Sequence, residues 1–228
     1  MDKYFIPLEA GKFYHIYNQG NNHETIFYND RNYIYFMQKL DMYLSDFVEL
    51  YAFCLMPNHF HLLVRIKEME ELTGDAADRL TDRQTDRHSK SQRLGMSCES
   101  SRLGMPLSSE LSCSLSELAS EQFRRFLMSY SKSINKQVER SGSLFRKNFK
   151  RKEINSLQYL QNTIIYIHRN PLHHDFTDDF TAYRWSSYDR ILEDKVTKLK
   201  KQEVLEWFGD KENYRYTHLA DIDDDIEQ

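Results

Sequence analysis

Two apolar runs split by a two-residue break decide how this chain is read: Val48–Met56 (VELYAFCLM), then Pro57-Asn58, then His59–Ile66 (HFHLLVRI). Each run has strand length and is rich in aliphatic and aromatic side chains, and Pro-Asn is a turn former. The segment therefore predicts a hairpin or a pair of adjacent antiparallel strands, heavily buried.

The neighbouring segments fall into place around that pair. Phe13–Tyr17 (FYHIY) is a short β-prone run closed by the turn formers Asn18-Gln19-Gly20-Asn21-Asn22. Asn29-Asp30 offers an N-cap, and Tyr33, Phe36, Met37, Leu40 and Leu44 follow at helical spacing. Beyond the apolar pair, Leu118 to about Val138 repeats the helical pattern with Phe123, Phe126, Leu127, Tyr130 and Ile134 on one side. Ser141-Gly142-Ser143 ends it, and Leu144 to Ile154 reads as partly extended. Asn155-Ser156 caps a last helix, Leu157 to about Arg169, with Leu157, Leu160, Ile164 and Ile167 as its core stripe and Pro171 as its stop. The order β-α-β-β-α-β is that of a ferredoxin-like α+β domain, an antiparallel sheet with helices on one face, here followed by an additional C-terminal helix.

Between about Lys67 and Ser116 the composition changes to Ser, Thr, Asp and Arg. The segment repeats itself: Thr81-Asp82-Arg83 recurs at 85–87, and Arg93-Leu94-Gly95-Met96 recurs at 102–105. Repeats this short cannot each bury an apolar face, so residues 67–116 are expected to be a low-complexity, disordered insertion. It divides a single domain made of residues 1–66 and 117–190, and residues 191–228 are expected to be an acidic, peripheral extension ending in Asp223-Asp224-Asp225.

The chain has 228 residues, 40% of them hydrophobic and 29% charged, the balance of a soluble globular domain. No apolar run approaches the roughly 20 residues of a bilayer span. The start of the sequence lacks the apolar stretch of a secretory signal, and three scattered cysteines form neither a disulfide framework nor a zinc set. The expectation is a cytoplasmic protein with no membrane partner.

Net charge is −4, but it is unevenly spread. From Arg124 to Lys152 ten basic residues stand against Glu139 alone, a local balance of +9 that leaves −13 for the remainder. A concentrated basic strip on an acidic body suits a polyanion bound at one place, though a solvated helix face would read the same way. Arg146, Lys147, Lys150, Arg151 and Lys152 are the expected phosphate contacts.

His59-Phe60-His61 is the sharpest chemical feature. On a strand, residues i and i+2 share a face, so both imidazoles can meet one ion while Phe60 enters the core. Two half-buried histidines bonded to neighbours would fit the same spacing. On the last helix Tyr159, Thr163, Tyr166 and Asn170 form a second stripe, which stacks Tyr166 one turn from Asn170. A phenol can attack phosphorus and store the energy of a broken phosphodiester, given a divalent ion or positive donors to absorb charge. An amide oxygen one turn away could complete the ion's shell. Equally, Tyr166 is one of 15 tyrosines and could simply pack a helix on a sheet.

Met56-Pro57-Asn58-His59-Phe60-His61-Leu62-Leu63 resembles the histidine–hydrophobic–histidine (HUH) motif of single-tyrosine transposases, and most closely that of the REP-associated tyrosine transposases, a domesticated bacterial branch. Four further stretches match in the same order: Tyr14–Asn22 (YHIYNQGNN), Ser141–Lys150 (SGSLFRKNFK), Tyr166–Pro171 (YIHRNP) and Trp185–Tyr188 (WSSY). The resemblance implies a ferredoxin-like nuclease that cuts and rejoins single-stranded DNA at hairpin-bearing ends through a 5′-phosphotyrosine, leaving a 3′-OH. It implies Tyr166 as nucleophile, with His59, His61 and Asn170 as ligands of one Mg²⁺ or Mn²⁺. Asn21 and Asn22 are implied as further DNA contacts, in a bacterial protein associated with the nucleoid when bound. Gln19 departs from the family's usual Arg, and the family does not account for the insertion. A catalytically silent hairpin-binding protein is the alternative from another class, and a hydrolase of small phosphoesters is a third, for which the basic strip carries excess charge. A dimer and a monomer both remain open.

Overall fold

The computed structural model describes residues 6–72 and 107–220. Residues 73–106, most of the expected insertion, and 221–228, with the acidic end, lie outside the described residues. Four strands, β1 (Phe13–Gln19), β2 (Val48–Met56), β3 (His59–Ile66) and β4 (Lys150–Ile154), form one antiparallel sheet in the order β2-β3-β1-β4. With α1 (Asp30–Leu44) and α2 (Leu107–Gln137) between them, this is the ferredoxin-like α+β arrangement. Pro57-Asn58 makes the β2–β3 hairpin, and all but three of the strands' residues are buried, as their continuous apolar runs require.

The two sheet faces carry different elements. Phe60, with Tyr14, Ile16 and Leu62, turns to the α1/α2 side, where Phe36 lies 5.0 Å from Phe60 and 4.8 Å from Phe126. Asn29 caps α1 by accepting from the Asn32 amide. The opposite face is covered over β2 and β3 by α3 (Leu157–His173), which starts at the cap Ser156. The helices therefore occupy both faces, α1 and α2 on one and α3 on the other.

Several boundaries differ from the sequence reading. The second helix begins at Leu107, so the C-terminal end of the expected disordered segment is helical, and Ser116 accepts a hydrogen bond from the Leu8 amide at 2.8 Å. Lys67–Leu72 is also described and includes a 3₁₀ turn, Met69–Glu71. Pro171 sits inside α3 rather than ending it. A proline in the last turn removes few helical bonds, and the helix closes at His174, whose amide donates to Asn170. Leu157, expected in the core, is exposed at the first helical position.

Residues 191–220 are not peripheral. After α4 (Tyr188–Leu192), α5 (Lys201–Phe208) and α6 (Lys211–Leu219) bury Val204, Leu205, Phe208 and Tyr214, and Trp207 stacks on Tyr51 with ring centroids 5.0 Å apart. Their apolar residues are spaced helically among many charges of both signs, and the acidity of the extension lies beyond them, in 221–228. The Trp185–Tyr188 stretch seals the edge strand β2: the Leu55 amide donates to Trp185, the Ser187 amide to Phe53, and the Phe53 amide to Ser187 Oγ. Among the described residues no helix is long and apolar enough to cross a membrane.

Candidate active site

Strand register assembles the site. Across β1–β3, Gln19 faces His59 and Tyr17 faces His61; across β1–β4, Tyr17 faces Lys150 and His15 faces Lys152. With side chains alternating, these residues share the face that α3 covers only over β2 and β3. The uncovered β1–β4 half is the floor of a cleft of about 480 Å³ lined by His15, Tyr17, His59, His61, Lys150 and Tyr166 among others.

His59, His61, Tyr166 and Asn170 are brought together, all buried. His59 Nε2 lies 3.0 Å from Asn170 Oδ1, and its Nδ1 lies 2.6 Å from Asn58 Oδ1. The His59 and His61 ring centroids are 5.3 Å apart, and the Tyr166 ring stands edge-on to His61 at 5.7 Å and to His15 at 5.8 Å. Tyr166 thus meets the histidines of its own chain.

Burial pushes His59 down to about 4 and His61 well below the usual imidazole range, so both rings are neutral at pH 7. A neutral imidazole has one N–H. If His59 gives its proton to Asn58, its Nε2 lone pair faces the Asn170 oxygen, an arrangement that a cation between them satisfies. Without a metal, either the Asn170 amide is turned over so that Nδ2 donates to His59 Nε2, or His59 donates from Nε2 to Asn170 Oδ1 and the Asn58 amide is turned over to donate to Nδ1. As placed, Asn170 Nδ2 is buried without a partner. Among the described residues no three His, Cys, Asp or Glu side chains form a metal cluster, so an ion would rest on two imidazoles and an amide, with water or phosphate oxygens completing the shell. Two imidazoles and one amide oxygen are an uncharged donor set, which would hold a divalent cation weakly without phosphate oxygens.

The basic strip divides. Arg146, Lys147, Lys150 and Lys152 line the cleft. Arg151, one residue out of phase, points to the other face, where it donates to Ser120 at 2.9 Å and lies over the Phe149 ring. Leu144, Phe145 and Phe149 are buried and anchor the loop that presents Arg146 and Lys147, and the Arg146 amide donates to Gln19. The reverse side of this loop borders a second groove of about 650 Å³, against α2, lined in part by Arg124, Lys132 and Arg151. Asn21 and Asn22 do not reach the cleft. Asn21 donates to the Ser143 carbonyl, and Asn22 is exposed with φ 51°. Gly20 beside them is needed for close approach, since a Cβ there would meet the Glu24 carbonyl oxygen at 2.1 Å.

His15, Tyr17, His23 and His174 belong to the cleft without having been singled out. Gln19, in the position expected of an Arg, is hydrogen-bonded to His23 Nδ1, and Arg146 lies 3.2 Å from His23 Nε2. The signal for His15 and Tyr17 was their period-two spacing on β1, but which residues of β3 and β4 they face depends on register.

No family model and no curated protein matches the chain. Among solved structures it is similar to a REP-associated tyrosine transposase bound to a REP hairpin, with a TM-score of 0.53 over 84% of this chain and 86% of that one. The two share a fold. Sequence identity is 12%, so the likeness extends to the four-stranded antiparallel sheet and its helices, and the chemistry is argued from this chain's own residues.

Proposed function

We propose that this chain is a transposase-like enzyme that cleaves and rejoins single-stranded DNA beside a hairpin, with Tyr166 as nucleophile. The observation that carries the reading is the convergence of a buried His59–Asn170 pair, His61 and the Tyr166 ring beside a cleft lined by Arg146, Lys147, Lys150 and Lys152. The shared fold with a hairpin-bound transposase supports it.

In this reading Tyr166 Oη attacks the scissile phosphorus. The Oη–P bond forms, the P–O3′ bond breaks, and the phenolic proton is balanced by protonation of the departing 3′-oxygen. The product is a 5′-phosphotyrosine and a free 3′-OH, and attack by another 3′-OH reverses the step to rejoin a strand without an external energy source. His59, His61 and Asn170 would hold a Mg²⁺ or Mn²⁺, which when bound supplies Lewis-acid polarisation of the phosphate. Lys150 and Lys152 offset phosphate charge on the open floor, and Arg146 and Lys147 hold the flanking backbone.

A hairpin-binding protein that does not cut would use the same basic rim and leave Tyr166 idle. Incubation with a 3′-extended DNA hairpin and Mg²⁺ separates the two: the enzyme yields a fragment whose new 3′-OH a polymerase extends, whereas retention of intact DNA supports binding alone.

A further inference from the structure

We propose that His15 is a positioning residue that holds His61 in the tautomer able to ligate an ion. The inference deepens the metal-dependent reading above and rests on it.

His15 Nε2 lies 2.8 Å from His61 Nδ1, with both side chains buried. Two neutral ring nitrogens at this distance share one proton, so one donates and the other accepts. If His61 donates, its proton is on Nδ1 and its Nε2 lone pair, directed away from His15, is free. If His15 donates, the proton of His61 sits on Nε2 and blocks ligation. Only the first arrangement makes His61 a ligand, and it requires His15 to present a bare Nε2.

His59 is held in a parallel way by a different partner, since its Nδ1 faces Asn58 Oδ1 while its Nε2 faces Asn170. Each imidazole therefore has Nδ1 engaged by a neighbour, the arrangement by which outer residues orient metal-binding histidines. His15 comes from β1, Asn58 from the hairpin turn, so the two supports arose from unrelated parts of the chain. The other groups packed on the His15–His61 pair restrict its rotation. Tyr17 lies parallel to His61, 9° between planes at 5.5 Å, and stacks on His15 at 4.8 Å. Tyr166 meets both imidazoles edge-on, and Lys152 stands opposite His15 across the strands. His15 thereby contacts both the ligand ring and the proposed nucleophile's ring, and fixes one relative to the other.

The test begins with the native, metal-free chain. Long-range ¹H–¹⁵N spectra of the imidazoles are expected to show His61 protonated at Nδ1 and His15 bare at Nε2; a His61 protonated at Nε2 overturns the proposal, whatever the metal does. Mn²⁺ binding is then followed by electron paramagnetic resonance in the presence of a hairpin oligonucleotide, with Tyr166→Phe as background. His15→Phe keeps the ring and removes the acceptor, and is expected to weaken Mn²⁺ binding about 10- to 100-fold. His15→Gln places an acceptor oxygen near the same point and is expected to restore most of the affinity. Unchanged binding in His15→Phe, or no rescue in His15→Gln, overturns the positioning role. A background protein that takes up no Mn²⁺ at all instead removes the metal reading, and the tautomer spectra still decide the proposal.

Discussion

His59 Nε2 stands 3.0 Å from Asn170 Oδ1, two buried atoms brought together from positions 111 residues apart. The contact joins the sheet to α3 at the point where the two imidazoles, the amide and the Tyr166 ring converge. If the amide oxygen shares an ion with His59, Asn170→Asp adds a charge to a neutral donor set. Mn²⁺ affinity is then expected to rise by about tenfold or more, since carboxylates are preferred ligands of such cations. Calorimetric titration checks it, and weaker binding by the carboxylate would take Asn170 out of the ligand set.

The buried histidines make stability sensitive to acid. Burial holds His15 at about 3, and His59 and His218 at about 4, below the ordinary 6.5. As pH falls below 6.5 the unfolded chain takes up protons that the folded chain refuses. Stability contributed by these groups is thus full above pH 6.5 and is lost down to the folded values. The slope reaches about 1.4 kcal/mol per pH unit for each such histidine. Urea unfolding at pH 7, 6 and 5 is expected to show a steep fall in midpoint, and a flat profile would contradict neutral burial.

The two sides of β4 give opposite expectations for nucleic-acid binding. Lys150→Ala and Lys152→Ala are each expected to reduce the slope of log K against log salt by about 0.7 for single-stranded DNA, through loss of one phosphate contact. Arg151→Ala is expected to leave that slope unchanged and to lower the melting temperature, because its guanidinium serves Ser120 and the Phe149 ring. Fluorescence anisotropy over a salt series separates them; equal slope losses at all three positions would mean that the strand faces are misassigned.

The C-terminal helices are expected to be required for folding. Truncation after Leu192 removes Val204, Phe208 and Tyr214 from the core and uncovers Tyr51 and Phe13, on which Trp207 packs. It also removes His218, bonded at 2.8 Å to His168 of α3. Several large side chains at about 2–5 kcal/mol each exceed the stability of an ordinary domain. Loss of a cooperative melt is the expected outcome, and a truncated chain that melts as the full one would show the helices to be dispensable.

The first three strands were legible because each is a short apolar or aromatic run near turn formers, whereas β4, with four charged residues of five, was legible only as part of an extended stretch; the caps Asn29 and Ser156 stand where their helices start. The packing of residues 191–220 was not, since sparse apolar residues among charges of both signs give no sign of what they will cover. The start of α2 was hidden for a similar reason: Ser-rich helix reads as loop until a partner such as Leu8 is known. In the site, His59 and His61 could be paired from spacing and Tyr166 and Asn170 from helical stacking. The roles of His15 and Tyr17 depend on the β1–β3 register, and Arg151 differs from Lys150 and Lys152 only by strand alternation once β4 is placed. The resemblance supplied the link between the two pairs, which pattern within one sequence does not contain.

Attachment of DNA to Tyr166 is the most direct test. The protein is incubated with a hairpin oligonucleotide and Mg²⁺, digested, and the nucleotide-bearing peptide sequenced by mass spectrometry. The 5′-phosphate is expected on Tyr166, with the adduct absent from Tyr166→Phe while that variant still binds the hairpin. An adduct on Tyr130 or Tyr159, or one that persists in Tyr166→Phe, would contradict the assignment of the nucleophile.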